Sequence, residues 1–426
     1  MAVPATRPAL PTDPLPGGAK WLRTARDAAA GRLAAMGLPQ PRDEYWKFTR
    51  PDSLTQADVP AAALFDPREA PVFGEVDRIR LVFVDGVFAP DQSDDPAGEN
   101  LEIARLAEIA ETDIHWAAGL FGRLEADGHS PVARPLAALN TARASDGVAI
   151  RATGPVAKPV SLIYLHKSET SDAILHHLVK VEDGASLTLL ENGPAAARFN
   201  KCMEVELGDG AAFNHVRAQG RDHERRAVTH AFARLGQGAS YKSFTLTANG
   251  RLTRNEQVIT LAGAGATAHV AGAALGDGAF HQDDTVFVHH AAPDCESRQV
   301  FKKVLRNGAT GVFQGKILVD SVAQRTDGYQ IAQALLLDGD SQFLVKPELE
   351  IYADDVKCSH GSTSGGVDVD ARFYLMSRGI PRAEAEDLLV LSFLAEAIAE
   401  IEDATLAAEI HSRLAAWLER HRSGRR

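Results

Sequence analysis

Cys358 and His360 stand two residues apart in the stretch from Glu350 to Gly366, EIYADDVKCSHGSTSGG, ahead of a small, polar run. Three readings fit that spacing. The pair suits two ligands of one metal, because side chains at i and i+2 on an extended backbone project to the same side. It could also be a nucleophile with its base, although a strand fixes the two side chains beside each other and supplies no oxyanion hole. The third reading is two ordinary strand residues. Two ligands do not close a tetrahedral site, which needs four, or three and an open position. The remainder has to come from this chain, where FHQDDTVFVHH offers His281, Asp283, Asp284, His289 and His290, or from a second subunit. In PELEIYADDVKC the apolar parity is odd at Leu349 and Ile351 and even at Val356 and Cys358, so a bulge or bend is expected at Ala353 to Asp355.

Other chemistries are less well supplied. The pairs Asp283-Asp284 and Asp354-Asp355 raise the alternative of a stand-alone β-helix enzyme acting on polysaccharide, since opposed carboxylates do acid-base work in glycosidases. Adjacent aspartates on a strand face opposite ways, so turns or solvated faces are the places expected for them. Aromatic residues are 6% of the chain and form no ladder that would bind sugar rings. A plain structural zinc site would hold stoichiometric zinc in the single chain. No GxxxxGK[ST] segment is present, so nucleotide hydrolysis is not assigned to this chain. Cys202, Cys295 and Cys358 are far apart and form no CxxC pair. That pattern excludes a disulfide framework and a four-thiolate site, and it fits a reducing compartment. Cys202 and Cys295 read as buried structural thiols.

The elements that must position the pair fall into three parts: residues 1–145, mixed but mostly helical; 146–366, a β core; and 367–426, helical. An amphipathic helix is expected from Trp21 to about Gly37, with a second helical pattern in LEIARLAEIAETDIHWAAGLFGRLEA. Between them RIRLVFVDGVFAP reads as a hairpin turning at Asp85-Gly86. The middle carries an internal repeat: an apolar residue, a turn closing on glycine, then a short alternating strand. Its glycines are Gly184, Gly210, Gly238, Gly265, Gly308 and Gly339, with Gly278 at a half step. Units of this length cannot bury an apolar face alone, so stacking into a β-helix is expected over an antiparallel sandwich, whose strands would recur about every ten residues. Some eight coils at about 4.8 Å would make a rod roughly 40 Å long. After Gly366, Pro381 opens a helix bearing Leu388, Leu391, Leu394, Ile398 and Ile401, and a second helix carries Leu406, Ile410, Leu414, Trp417 and Leu418. Their stripes are expected to pack on each other and on the rod's end.

The net charge of −12 and pI near 5.7 argue against a sequence-independent grip on nucleic acid or anionic membrane. The proline-rich amino terminus lacks the apolar core of a signal peptide, and no stretch reaches the apolar length of a membrane span. The cytoplasm is the expected location.

The stretch PELEIYADDVKCSHGSTSGGVDVDARFYLMSRGI resembles the signature of the SufB/SufD family of iron-sulfur cluster assembly scaffolds. RDEYWKFT, LVFVDGVF, LNTARASDGVAI and QRTDGYQIAQALLL extend the resemblance over most of the chain. It is closer to the SufD branch. The SufB-type signature has a glutamate after the histidine and a lysine further on, where this chain has Gly361 and Gly366, and a cysteine in the segment that here reads DGYQIAQALLLDGDSQF. The resemblance implies a right-handed parallel β-helix between helical terminal regions and a noncatalytic scaffold. It also implies pairing with SufB through the β-helix and docking of the ATPase SufC on the carboxy-terminal helices. Cys358 and His360 fall on the family's functional cysteine and histidine, which would contact metal or sulfur of a transient iron-sulfur cluster shared with the partner. An open β-helix edge can equally pair with a like edge, so a homodimer of the isolated chain is a further expectation.

Overall fold

The computed structural model describes residues 10–422 except 12, 65–70, 97, 194 and 221–223. The first nine residues of the stretch read for targeting lie outside these. Fourteen consecutive strands, from Asp172–Val181 to Val356–Gly365, alternate between two sheets, and each pairs in parallel with the next but one. Asp172 aligns with Arg198, Arg198 with Arg226, and Thr310 with Gln342, so one coil takes between 26 and 32 residues. The protein is mainly β, a parallel solenoid of about seven turns with helices at both ends of the chain.

Alternation along each strand divides the residues between two cores. One set points into the solenoid, where Leu187, Phe213, Tyr241, Phe301 and Phe313 fill the space between the sheets. The other set points outward and is covered by helices. On one sheet Val216, Phe244, Leu246, Val300 and Val304 lie under Val390, Leu394, Ile410, Leu414 and Trp417 of the helices Arg382–Ile398 and Ala404–Arg422. On the other, Leu178, Cys202, Phe232 and Phe287 lie under Leu22, Phe121 and Leu124 from the amino-terminal region. The carboxy-terminal helices therefore clad the solenoid's flank, where the sequence reading put them on its end. The outward residues of those strands are too apolar to leave wet. No helix among the described residues is long and apolar enough to cross a membrane.

Gly184, Gly210, Gly238 and Gly265 turn one corner of successive coils, each with φ between 63° and 71°. Their N–H groups form a column of hydrogen bonds to the coil above, from Gly184 N to Asp209 O through Gly265 N to Pro293 O. The column continues through Asp294 and Arg325, which hold φ of 61° and 59° at the same corner. Gly278, Gly308 and Gly339 lie on the opposite corner. The irregular step in the sequence repeat is thus a change of corner, hidden because an aspartate and an arginine took the left-handed position that favours glycine.

Two expectations for the amino-terminal region need correction or extension. Leu101–Arg105, read as the start of a helix, is a strand antiparallel to Val148–Ala152; within the stretch read as helical only Leu106–Ile109 and Arg123–Asp127 are α-helical, and a further helix, Pro135–Arg143, follows it. Ile79–Val84 and Val87–Phe88 form the expected hairpin about Asp85-Gly86, both residues at positive φ, and the first strand also joins a solenoid sheet beside Val160–Leu165. These segments close the solenoid's first coil. At the other end Gln342–Ile351 and Val356–Gly365 are the last strands of their sheets, and no described segment pairs with their outer edges.

Candidate functional site

Cys358 and His360 lie on the terminal strand Val356–Gly365, in register with Gly328 and Gln330 of the strand beneath. Both therefore project to the inner side of the last coil. Cys358 is half-buried against a lip formed by Ile317, Val319, Ala323 and Ala353, while His360 is exposed because no further coil covers it. The His360 ring has no hydrogen-bond partner among the described residues. Gly328 keeps the floor under the thiol open, since a Cβ there would come within 3.2 Å of Cys358 Sγ. Burial on the apolar lip pushes the Cys358 thiol above its ordinary value, and the carboxylate of Asp327 adds to the effect. The free thiol is consequently protonated near neutral pH. A metal ion binding there would have to displace that proton.

The expected bend at Ala353 to Asp355 is a corner of the solenoid. Gln342–Ile351 and Val356–Gly365 belong to different sheets, so the switch in apolar parity is a change of sheet, anchored by Arg325 N donating to Asp355 O at 2.6 Å. Asp354 and Asp355 sit exposed on that corner, as their pairing suggested. Asp283 and Asp284 do not follow the same rule: both are buried, on the strand His281–His290. Asp283 faces outward, where it accepts from Arg254 at 2.5 Å and Thr49 at 2.6 Å; Asp284 faces inward and receives Lys303 at 2.7 Å. Neither pair forms a polysaccharide-cleaving site.

The other donors offered for the metal are also engaged elsewhere. His281 bonds Thr49 Oγ1 at 3.0 Å, His289 pairs with Asp320 at 2.9 Å, and His290 bonds Ser297 Oγ at 2.8 Å. Their strand lies two ladder steps in from the end of its sheet, whereas Cys358 is on the end strand of the other sheet. Among the described residues no three histidine, cysteine or carboxylate side chains come together to hold a metal ion. Cys358 and His360 share one face, with no third ligand beside them among the described residues.

The sequence reading missed the polar groups inside the rod. Glu191 accepts from Lys201 Nζ at 2.5 Å, Tyr164 Oη at 2.9 Å and His215 Nε2 at 2.8 Å, all buried. Burial lowers Lys201 to about 8 against the pull of Glu191, which is itself held well below the usual carboxylate range by Lys201 and His215. Strand parity alone places these residues inward, a signal available once the strands are known. Two surfaces remain uncovered. One is the edge strand Val356–Gly365, which has no proline and only one charged residue, Lys357, to blunt strand pairing. The other is the helix Val369–Ser377, which buries no residue and presents Val369, Phe373, Tyr374 and Met376 to solvent.

Residues 164–393 match the family model described as SUF system FeS cluster assembly, SufBD core domain. The chain is 27% identical over 397 residues to the iron-sulfur cluster assembly protein SufD of Escherichia coli, covering 90% of each. It is 30% identical over 404 residues to an iron-sulfur cluster assembly SufBD family protein of Synechocystis, covering 89% of this chain and 88% of the relative. The SufD protein of Bacillus subtilis is 29% identical over 255 residues, 58% of each. All three are named as assembly proteins and none as an enzyme. The matched core and the near full-length relatives agree: the chain belongs to the SufBD family as a SufD-like protein with a role in iron-sulfur cluster assembly in the SUF system.

Proposed function

We propose that this chain is a noncatalytic scaffold subunit that lends Cys358 and His360 to a nascent iron-sulfur cluster, completed by ligands from a SufB-type partner docked on the open end of the solenoid. The observation that carries the reading is the terminal strand itself. It places one thiol and one imidazole on the same side of an unpaired edge, with no third donor from this chain among the described residues. An edge ten residues long and barely charged is a template for another strand. The cluster is cargo here: it arrives, is held by both subunits and leaves. Metal binding at Cys358 would release the thiol proton to solvent, leaving thiolate as ligand. The helix Val369–Ser377 and Leu388 offer the SufC-type ATPase an apolar seat, through which nucleotide-driven movement reaches the adjoining terminal coil. Three free cysteines suit action in a reducing cytoplasm.

Anaerobic reconstitution of the complete complex tests the reading. Cys358→Ser combined with His360→Ala is expected to abolish cluster absorbance while the complex still assembles. Wild-type cluster yield from the double variant would refute the site. Phe373→Asp combined with Met376→Asp on the exposed helix is expected to abolish copurification with the ATPase, and retention of the ATPase would refute the docking.

A further inference from the structure

Directly beneath His360 in the parallel ladder lies Gln330, a fully buried side chain. Its Nε2 donates to Gln299 Oε1 at 3.3 Å, one coil further down, which holds the carboxamide against the inner wall. Its Oε1 is buried with no hydrogen-bond partner. A buried amide oxygen left unpaired is costly, on the order of 1–3 kcal/mol, and native structures normally give it a donor. The opposite sheet has been cut away to make room for this amide. A Cβ on Gly315 would fall 1.4 Å from Gln330 Nε2, so no residue larger than glycine fits at that position while the amide stays where it is. His360 is the ring one rung above, unpartnered and carrying an N–H in either neutral tautomer. Rungs are about 4.8 Å apart, within the reach of a glutamine and a histidine side chain.

We infer that Gln330 is a positioning residue for His360: a turn of the ring toward the rung beneath lets Gln330 Oε1 accept the N–H of one ring nitrogen, which fixes the tautomer and presents the other nitrogen, unprotonated, to the incoming metal. Metal-ligating histidines commonly have their second nitrogen held in this way. Gln299 and Gly315 act one step back, the first by anchoring the amide and the second by leaving it space. This inference rests on the reading of His360 as a ligand, but its first readout does not.

The full-length chain labelled with 15N-histidine gives the His360 ring nitrogens by difference from His360→Ala. A single tautomer is expected in the wild type and in Gln330→Glu, which keeps an acceptor, and a fast tautomer mixture in Gln330→Leu. In the complete complex Gln330→Leu is expected to assemble cluster about tenfold more slowly and Gln330→Glu to restore most of the rate. A tautomer mixture already present in the wild type, or a Gln330→Leu ring unchanged from wild type, would overturn the inference. If Gln330→Leu does not fold, Gly315→Ala serves in its place, because it displaces the amide without removing it and should release the tautomer. An unchanged ring in Gly315→Ala would count against the inference. Normal assembly by His360→Ala would remove the ligand reading while leaving the tautomer result standing.

Discussion

Two cysteine-histidine constellations sit on the same solenoid and have opposite characters. In the middle, His176, Cys202 and His230 align in register on three neighbouring strands, pointing outward beneath the amino-terminal helices. His176 is held by Glu204 at 2.8 Å and packs against Phe121 with the rings tilted by 38° and their centres 4.5 Å apart, and burial drives the Cys202 thiol far above its ordinary value. At the open end, Cys358 is half-buried and His360 exposed and unpartnered. The residue types are the same. What differs is cover: four further coils and a helical layer seal the first group, whereas no described segment closes over the second. Ligand chemistry here is set by position along the stack, because only the last rung leaves inward-facing side chains within reach of another chain.

The contrast can be broken from either side. The largest effect of a single substitution is expected in the sealed middle: Lys201→Met strips Glu191 of its cation and should cost about 3–5 kcal/mol in urea unfolding. Parity of the variant with wild type would show that the interior charges are not sealed. A pH effect follows from the buried histidines. His177 is lowered to about 3, and His230 and His290 to about 4, in each case chiefly by burial. Above the ordinary histidine range both states leave these rings neutral and their stability contribution is intact. As pH falls through about 6.5 the unfolded chain takes up protons that the folded chain refuses, at up to about 1.4 kcal/mol per pH unit for each ring. The melting temperature is expected to drop steeply from pH 6.5 to 4 and less steeply in His290→Asn; a flat profile would contradict this. A smaller effect belongs to Cys202→Ser, expected to lose about 1–3 kcal/mol by placing a hydroxyl in an apolar site, with cluster assembly unchanged. Smallest of all, His360→Ala should shift stability by no more than about 1 kcal/mol, since the ring is exposed and the one bond inferred for it, to Gln330, lies at the open end.

Much of this contrast was legible in the sequence, and the misses share one cause. The glycine turns announced a stacked rod, and the i to i+2 spacing put Cys358 and His360 on one side of a strand. Register between coils is not written in local pattern, however. Asp294 and Arg325 hid two turns because tertiary hydrogen bonds hold them at positive φ. Leu101–Arg105 looked helical because its apolar residues fit both periods until pairing with Val148–Ala152 chose the strand. Asp283 and Asp284 looked solvated because their partners Arg254 and Lys303 lie 29 and 19 residues away in sequence. Gln330 had no motif at all; its place under His360 depends on a ladder step that only the fold supplies.

On the proposed function, the terminal rung is open in the free chain and closed by a partner. Alkylation of the three cysteines, followed by mass spectrometry of the isolated chain and of the complete complex at the same alkaline pH, reads this directly. Cys358 should be modified in the isolated chain, Cys202 should not, and complex formation should protect Cys358. A Cys358 as inert as Cys202 in the free chain, or one labelled equally with and without the partner, would contradict the account.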